Sequence, residues 1–131
     1  MTARWTHSNK AVYNIGYHII WCPKYRRKVL KDQVYIRLKE ILTSISSSLD
    51  CHIDTMEIMP DHVHIFIKCS PVHSPHFIVQ QLKGKSSRIL REEFPSLKTK
   101  LPTLWTRSYY CGTAGEMSAA TIKKYIANHK L

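Results

Sequence analysis

The apolar pattern predicts an α+β fold: one antiparallel sheet with two helices packed on a single face, followed by a further helix at the C-terminus. Three observations predict it. Strand-like and helix-like stretches follow in the order β-α-β-β-α-β, only "MPD" separates the second strand from the third, and 131 residues sustain one core, so residues 1–131 read as a single domain.

Residues 12–22, "VYNIGYHIIWC", are rich in β-branched and aromatic residues and stop at Pro23, which marks a first strand. In residues 32–49, Val34, Leu38, Ile41, Leu42, Ile45 and Leu49 recur at the three-and-four spacing of a helix with one buried stripe. A second strand at His52–Met59 and a third at 63–68 form a hairpin through the turn at Pro60 and Asp61. "SPVHSPH" reads as a loop. A second helix carries Phe77, Ile78, Leu82, Ile89, Leu90 and Phe94, is interrupted in pattern at Gly84 and ends before Pro95. "SLKTKLPT" reads as a linker, "LWTRSYYCG" as a fourth strand stopped by Gly112, and residues 115–131 as a last helix that Ser118 caps. This order is that of the ferredoxin-like split βαβ sandwich, whose second sheet face needs a cover or a ligand.

Lys and Arg number 20 against 9 Asp and Glu, a net charge of +11. So much like charge in a small fold costs self-repulsion and points to a polyanionic partner, nucleic acid first and an anionic membrane second; a solvated basic surface is the plain alternative. The four cysteines, Cys22, Cys51, Cys69 and Cys111, form no C-x-x-C pair, which argues against a zinc ribbon or a dithiol redox motif. The N-terminus has no apolar signal segment and the longest uncharged run, residues 11–23, is too short to span a bilayer, so a soluble cytoplasmic protein is expected.

Side chains alternate along a strand, so Val63, Ile65 and Ile67 share one face while His62, His64 and Phe66 share the other. The aliphatic set suits the helix-packed core, which leaves both imidazoles on the bare face at a spacing that suits one metal ion. Half-buried histidines bonded to neighbours are the alternative, though each buried ring then needs its own partner. On the last helix Tyr125 and His129 lie four residues apart and project from one side, with Ile122 and Ile126 as an apolar footing. Docked on the bare face, that helix makes a three-nitrogen site of His62, His64 and His129 with a phenol beside it; a core tyrosine and a fraying terminal histidine are the other reading. Asp61 reads as a turn residue, with a partner role behind His62 as the alternative.

"PDHVHIFIKCSP", with "YHIIWCPKYRRKVL" before it and "QQLKGKSSRILREEFP" and "LWTRSYYCGTAGEMSAATIKKYIANHK" after it, resembles the HUH single-tyrosine transposases of the smallest prokaryotic insertion sequences, with the REP-associated tyrosine transposases as close relatives. The likeness runs from residue 12 to 129. It implies that His62 and His64 are metal ligands and that Tyr125 is the nucleophile that cleaves and rejoins single-stranded DNA through a 5′-phosphotyrosine link. It implies Mg2+ or Mn2+, hairpins at the element ends as substrate, and a homodimer whose active sites are shared between subunits. The family's third ligand is typically Gln; here that position holds His129. Three imidazoles by themselves suit manganese, zinc or nickel better than magnesium.

For the DNA, the densest basic cluster is Lys24, Tyr25, Arg26, Arg27 and Lys28, with an aromatic among the cations, and Lys83, Lys85 and Arg88 line the second helix around Gly84. Lys123 and Lys124 flank the tyrosine. Trp21, Trp105, Tyr109 and Tyr110 read as core residues. Competing functions are a host-adopted hairpin-specific nicking endonuclease, a non-catalytic single-strand binder on the same scaffold, and a metal-storing or sensing protein. A single-strand binder would carry aromatics where His62 and His64 stand.

Overall fold

A computed structural model describes residues 6–7, 12–113 and 119–127. The order is β1 (Thr6–His7), β2 (Val12–Tyr13), β3 (Gly16–Trp21), α1 (Asp32–Ser48), β4 (His52–Met59), β5 (His62–Lys68), α2 (Pro75–Glu93), α3 (Ser96–Lys100), β6 (Tyr110–Thr113) and α4 (Ala119–Ala127). Four strands form one sheet in the order β4-β5-β3-β6, and every pair in it is antiparallel. With the short N-terminal hairpin set aside, the first and third strands of the β-α-β-β-α-β series lie side by side in the middle, as expected.

Strand alternation decides where the core sits. Ile19 and Trp21 on β3 and Val63, Ile65 and Ile67 on β5 are fully buried, packed with Leu38, Leu42 and Ile45 of α1 and Ile78, Leu82 and Leu90 of α2. Trp105 meets Trp21 edge to face and donates its indole N–H to Ser86 Oγ at 3.1 Å, which explains a hydroxyl deep in the core. Ile65→Ala is expected to cost about 2–5 kcal/mol through lost burial and a residual cavity. A denaturant melt measures it, and a loss under 1 kcal/mol would mean that the sheet is packed loosely.

The structure departs from the sequence reading in six places. The first strand is two: residues 12–13 turn aside to pair with β1, and β3 starts at Gly16, where a Cβ would stand 2.7 Å from the Phe66 ring. The third strand begins at His62, one residue early. Helix α2 starts in the expected loop, at Pro75, because Ser74 accepts a hydrogen bond from Phe77 N and a proline suits the first helical turn. It runs unbroken through Gly84, beside which a side chain would meet open space. The linker holds α3, which buries Leu97.

The fourth strand is the largest revision, since only Tyr110–Thr113 pairs with β3. Trp105 makes a lone bridge to Pro23, and the carbonyls of Thr106, Arg107 and Ser108 accept from Lys83 Nζ instead of from a neighbouring strand. The last helix is described from Ala119, so the expected cap, Ser118, lies outside the described residues. Among the described residues, no helix is long and apolar enough to cross a membrane.

Candidate active site

The sheet face opposite α1 and α2 carries His18 and Ile20 of β3, His62, His64 and Phe66 of β5, and Tyr110 of β6, because cross-strand partners share a face. Ile20 stands opposite both His64 and Tyr110, so these three form one row; His18 stands opposite Phe66. Ile20 is fully buried yet apart from the core cluster, as is Cys22. This face is therefore covered. Helix α4 reaches it: the Tyr125 ring packs edge-on to Tyr110 with centroids 6.3 Å apart.

His62 is held from the turn. Asp61 Oδ1 lies 2.9 Å from His62 Nδ1, and Asp61 Oδ2 pairs at 3.4 Å with Arg26 Nε. A carboxylate at Nδ1 takes the N–H of the neutral ring and leaves a lone pair on Nε2, the arrangement that metal-binding histidines use. Asp61 is thus both the turn residue and the partner behind His62. Arg26 goes on to donate through Nη1 to the carbonyl of Ile126 at 3.0 Å, which joins the His62 end of the sheet to the helix of Tyr125.

His64 has a different neighbour, one that the sequence did not single out. His18 Nδ1 is 3.2 Å from His64 Nε2 and the rings stack at 5.4 Å. The other nitrogen, Nδ1, is buried with no hydrogen-bond partner, and its nearest carboxylate oxygen, on Glu57, is 4.0 Å away. Burial lowers the pKa of His64 below that of a free imidazole; Glu57 opposes this, while His18 and His62 add to it. The ring is therefore neutral at pH 7, as a ligand must be.

Burial also raises the Tyr125 phenol above its ordinary value; the Cys22 thiol adds to the rise and a hydrogen bond with the Ser108 side chain opposes it. The phenol is held protonated in a dry setting. Cys22 itself is pushed up to about 11, chiefly by burial and then by Asp61, so it is no competing nucleophile.

The donors present fit a divalent cation: a neutral His64 with an orphaned buried nitrogen, and a His62 whose tautomer Asp61 fixes. Among the described residues no three His, Cys, Asp or Glu side chains group into a metal site. The expected third nitrogen, His129, lies outside the described residues.

The residues expected to touch DNA divide in two. Tyr25, Arg27, Lys28, Lys85 and Arg88 are exposed, and Lys24 lies half-buried with its ammonium over the Tyr25 ring. Arg26 and Lys83 turn inward. Lys83 holds the 106–108 loop, and thereby Ser108 beside Tyr125; burial lowers its ammonium to about 8, with Cys22 pulling the other way. Between pH 8 and 10.5 the unfolded chain keeps the Lys83 proton that the folded chain releases, so this residue makes stability rise with pH across that window. The melting temperature of the parent relative to Lys83→Met is expected to climb from pH 8 to 10.5 in paired thermal melts. A flat difference would mean that the three carbonyls hold the proton on Lys83 against the effect of burial.

A family model described as "Transposase IS200 like" matches residues 11–129. The ISDra2 transposase TnpA of Deinococcus radiodurans is 43% identical over 117 residues, spanning 88% of this chain and 84% of that protein. The transposase for insertion sequence element IS200 of Salmonella typhimurium is 35% identical over 121 residues, spanning 91% of this chain and 78% of that one. Among solved structures, a Deinococcus radiodurans R1 protein described as a candidate transposase superposes with a TM-score of 0.88 at 37% identity, covering 95% of this chain and 98% of its own. A REP-associated tyrosine transposase bound to a REP hairpin shares the fold at a TM-score of 0.59 and 11% identity, covering 95% of this chain and 67% of its own. With a histidine pair and a tyrosine helix on one sheet face and a family match over nearly its whole length, the chain belongs to the IS200-like transposases.

Proposed function

We propose that this transposase cleaves and rejoins single-stranded DNA at hairpin-bearing element ends, with Tyr125 as nucleophile and a divalent ion, Mg2+ or Mn2+, held by His62, His64 and His129. The observation that carries the reading is the tie from His62 through Asp61 and Arg26 to the helix of Tyr125, which keeps phenol and imidazoles on one face. The hairpin bound by the REP-associated relative supports a folded single strand as substrate.

The chemistry follows from the groups. Attack by the Tyr125 oxygen on phosphorus forms a phosphotyrosine and breaks the bond to the 3′ oxygen, which leaves with a proton as the phenol loses its own. When bound, the cation supplies charge neutralisation at the phosphate and eases loss of the phenol proton. A phenolate departs more readily than an alkoxide, so a new 3′-OH displaces it and rejoins the strands without a nucleotide cofactor. With one tyrosine per chain, exchange of two strand ends needs two subunits or a reset of the tyrosine helix, and a homodimer supplies the first. The exposed Tyr25, Arg27, Lys28, Lys85 and Arg88, with Lys24, supply phosphate contacts and one stacking ring.

The test is a denaturing gel of protein mixed with an end-labelled single-stranded hairpin. A protein–DNA band that survives denaturation with Mn2+ or Mg2+ and disappears with a chelator is expected. Cleavage with no such band, or a band indifferent to chelation, would overturn the mechanism.

A further inference from the structure

Arg26 stands in the middle of the basic cluster, but its guanidinium faces the site. Its backbone and that of Tyr25 take left-handed conformations, φ 51° and 59°, which are strained for a non-glycine residue and persist only where surroundings hold them. The twist sends neighbouring side chains in opposite senses: Tyr25 outward, 41% exposed, and Arg26 inward to two anchors. One anchor is the Asp61 carboxylate at 3.4 Å, whose other oxygen holds His62 Nδ1 at 2.9 Å. The second is the Ile126 carbonyl at 3.0 Å, on the helix that carries Tyr125.

We propose that Arg26 is a positioning residue: a latch that seats the tyrosine helix on the sheet and, through Asp61, ties that seating to the orientation of His62. The proposal rests on the reading of Tyr125 and His62 given above. A planar guanidinium spans both anchors at once, whereas a lysine ammonium, a single point of charge, engages one and leaves the other. The helix of the nucleophile is thereby placed by a residue about a hundred positions away in sequence. A phosphate-contacting arginine makes the opposite demand, an outward side chain and a share of the salt dependence.

Arg26→Gln and Arg26→Lys separate the two roles. Three quantities are measured beside the parent: amide hydrogen exchange over residues 119–127 without DNA, hairpin affinity from 50 to 200 mM salt, and the single-turnover rate of covalent adduct formation at saturating DNA with Mn2+. Loss of a charge-assisted bond predicts exchange about tenfold faster in 119–127 with β3 and β5 unchanged. It also predicts a rate reduced by about 10- to 100-fold at an unchanged half-saturating DNA concentration, with lysine failing to rescue. Unchanged exchange in 119–127 would overturn the latch, as would a salt slope reduced by about one with affinity lost across sequences, which marks a phosphate contact. Should the parent form no adduct, the proposed reaction fails while the exchange measurement still judges the latch. If Arg26→Gln does not fold, Arg26→Lys decides by the same readings.

Discussion

Tyr125→Phe eliminates the denaturation-resistant protein–DNA band and leaves hairpin binding within about twofold of the parent, because an interaction confined to the reacting atom lowers the rate without lowering affinity. The substitution removes one oxygen from a half-buried ring. The packing against Tyr110 is kept and the hydrogen bond with Ser108 is lost, so stability should fall by about 1 kcal/mol. The variant therefore separates chemistry from folding. A neutral phenol is a poor nucleophile, and burial holds this one above its ordinary pKa. A band that persists in the variant would assign the nucleophile elsewhere. The buried Cys22 is the nearest rival by position, and its raised pKa argues against it.

His64→Ala and His62→Ala are expected to reduce cleavage beyond the roughly 10- to 100-fold that an outer partner of a metal ligand costs, the range expected for Asp61→Asn. The two histidine variants should differ in stability. His64 buries a ring nitrogen with no hydrogen-bond partner, a cost of about 1–3 kcal/mol that its removal relieves, partly offsetting the packing lost beside His18 and Ile20. His62 is more exposed and its loss frees Asp61, which still has Arg26. Calorimetric titration with Mn2+ should show weaker binding in both variants. Undiminished binding and cleavage in either would remove that histidine from the site.

The contrast between what the sequence disclosed and what it did not follows the range of each interaction. The period of two in residues 62–67 separates His62 and His64 from Val63, Ile65 and Ile67, so the side of the sheet on which the imidazoles stand was legible from alternation alone. The hairpin of β4 and β5 was equally plain, since one short turn forces the pairing. His18 was missed because nothing near it in sequence signals His64; only the register of β3 on β5 brings the rings together. Opposite partners could have been found by sliding the two strands until their aliphatic residues matched. Lys83 and Arg26 look like surface cations in a basic chain, and their inward course depends on carbonyls and a carboxylate supplied by distant segments. The same reason cut short the fourth strand: its first half spends its carbonyls on Lys83, a bond that strand propensity does not register.

The account depends on which atom receives the DNA. Trypsin cuts after Lys124 and Lys130, so the peptide of residues 125–130 contains a single tyrosine. Mass spectrometry of that peptide from the trapped complex is predicted to show a nucleotide esterified to the Tyr125 oxygen; an unmodified 125–130 peptide alongside an adduct on any other residue would contradict it.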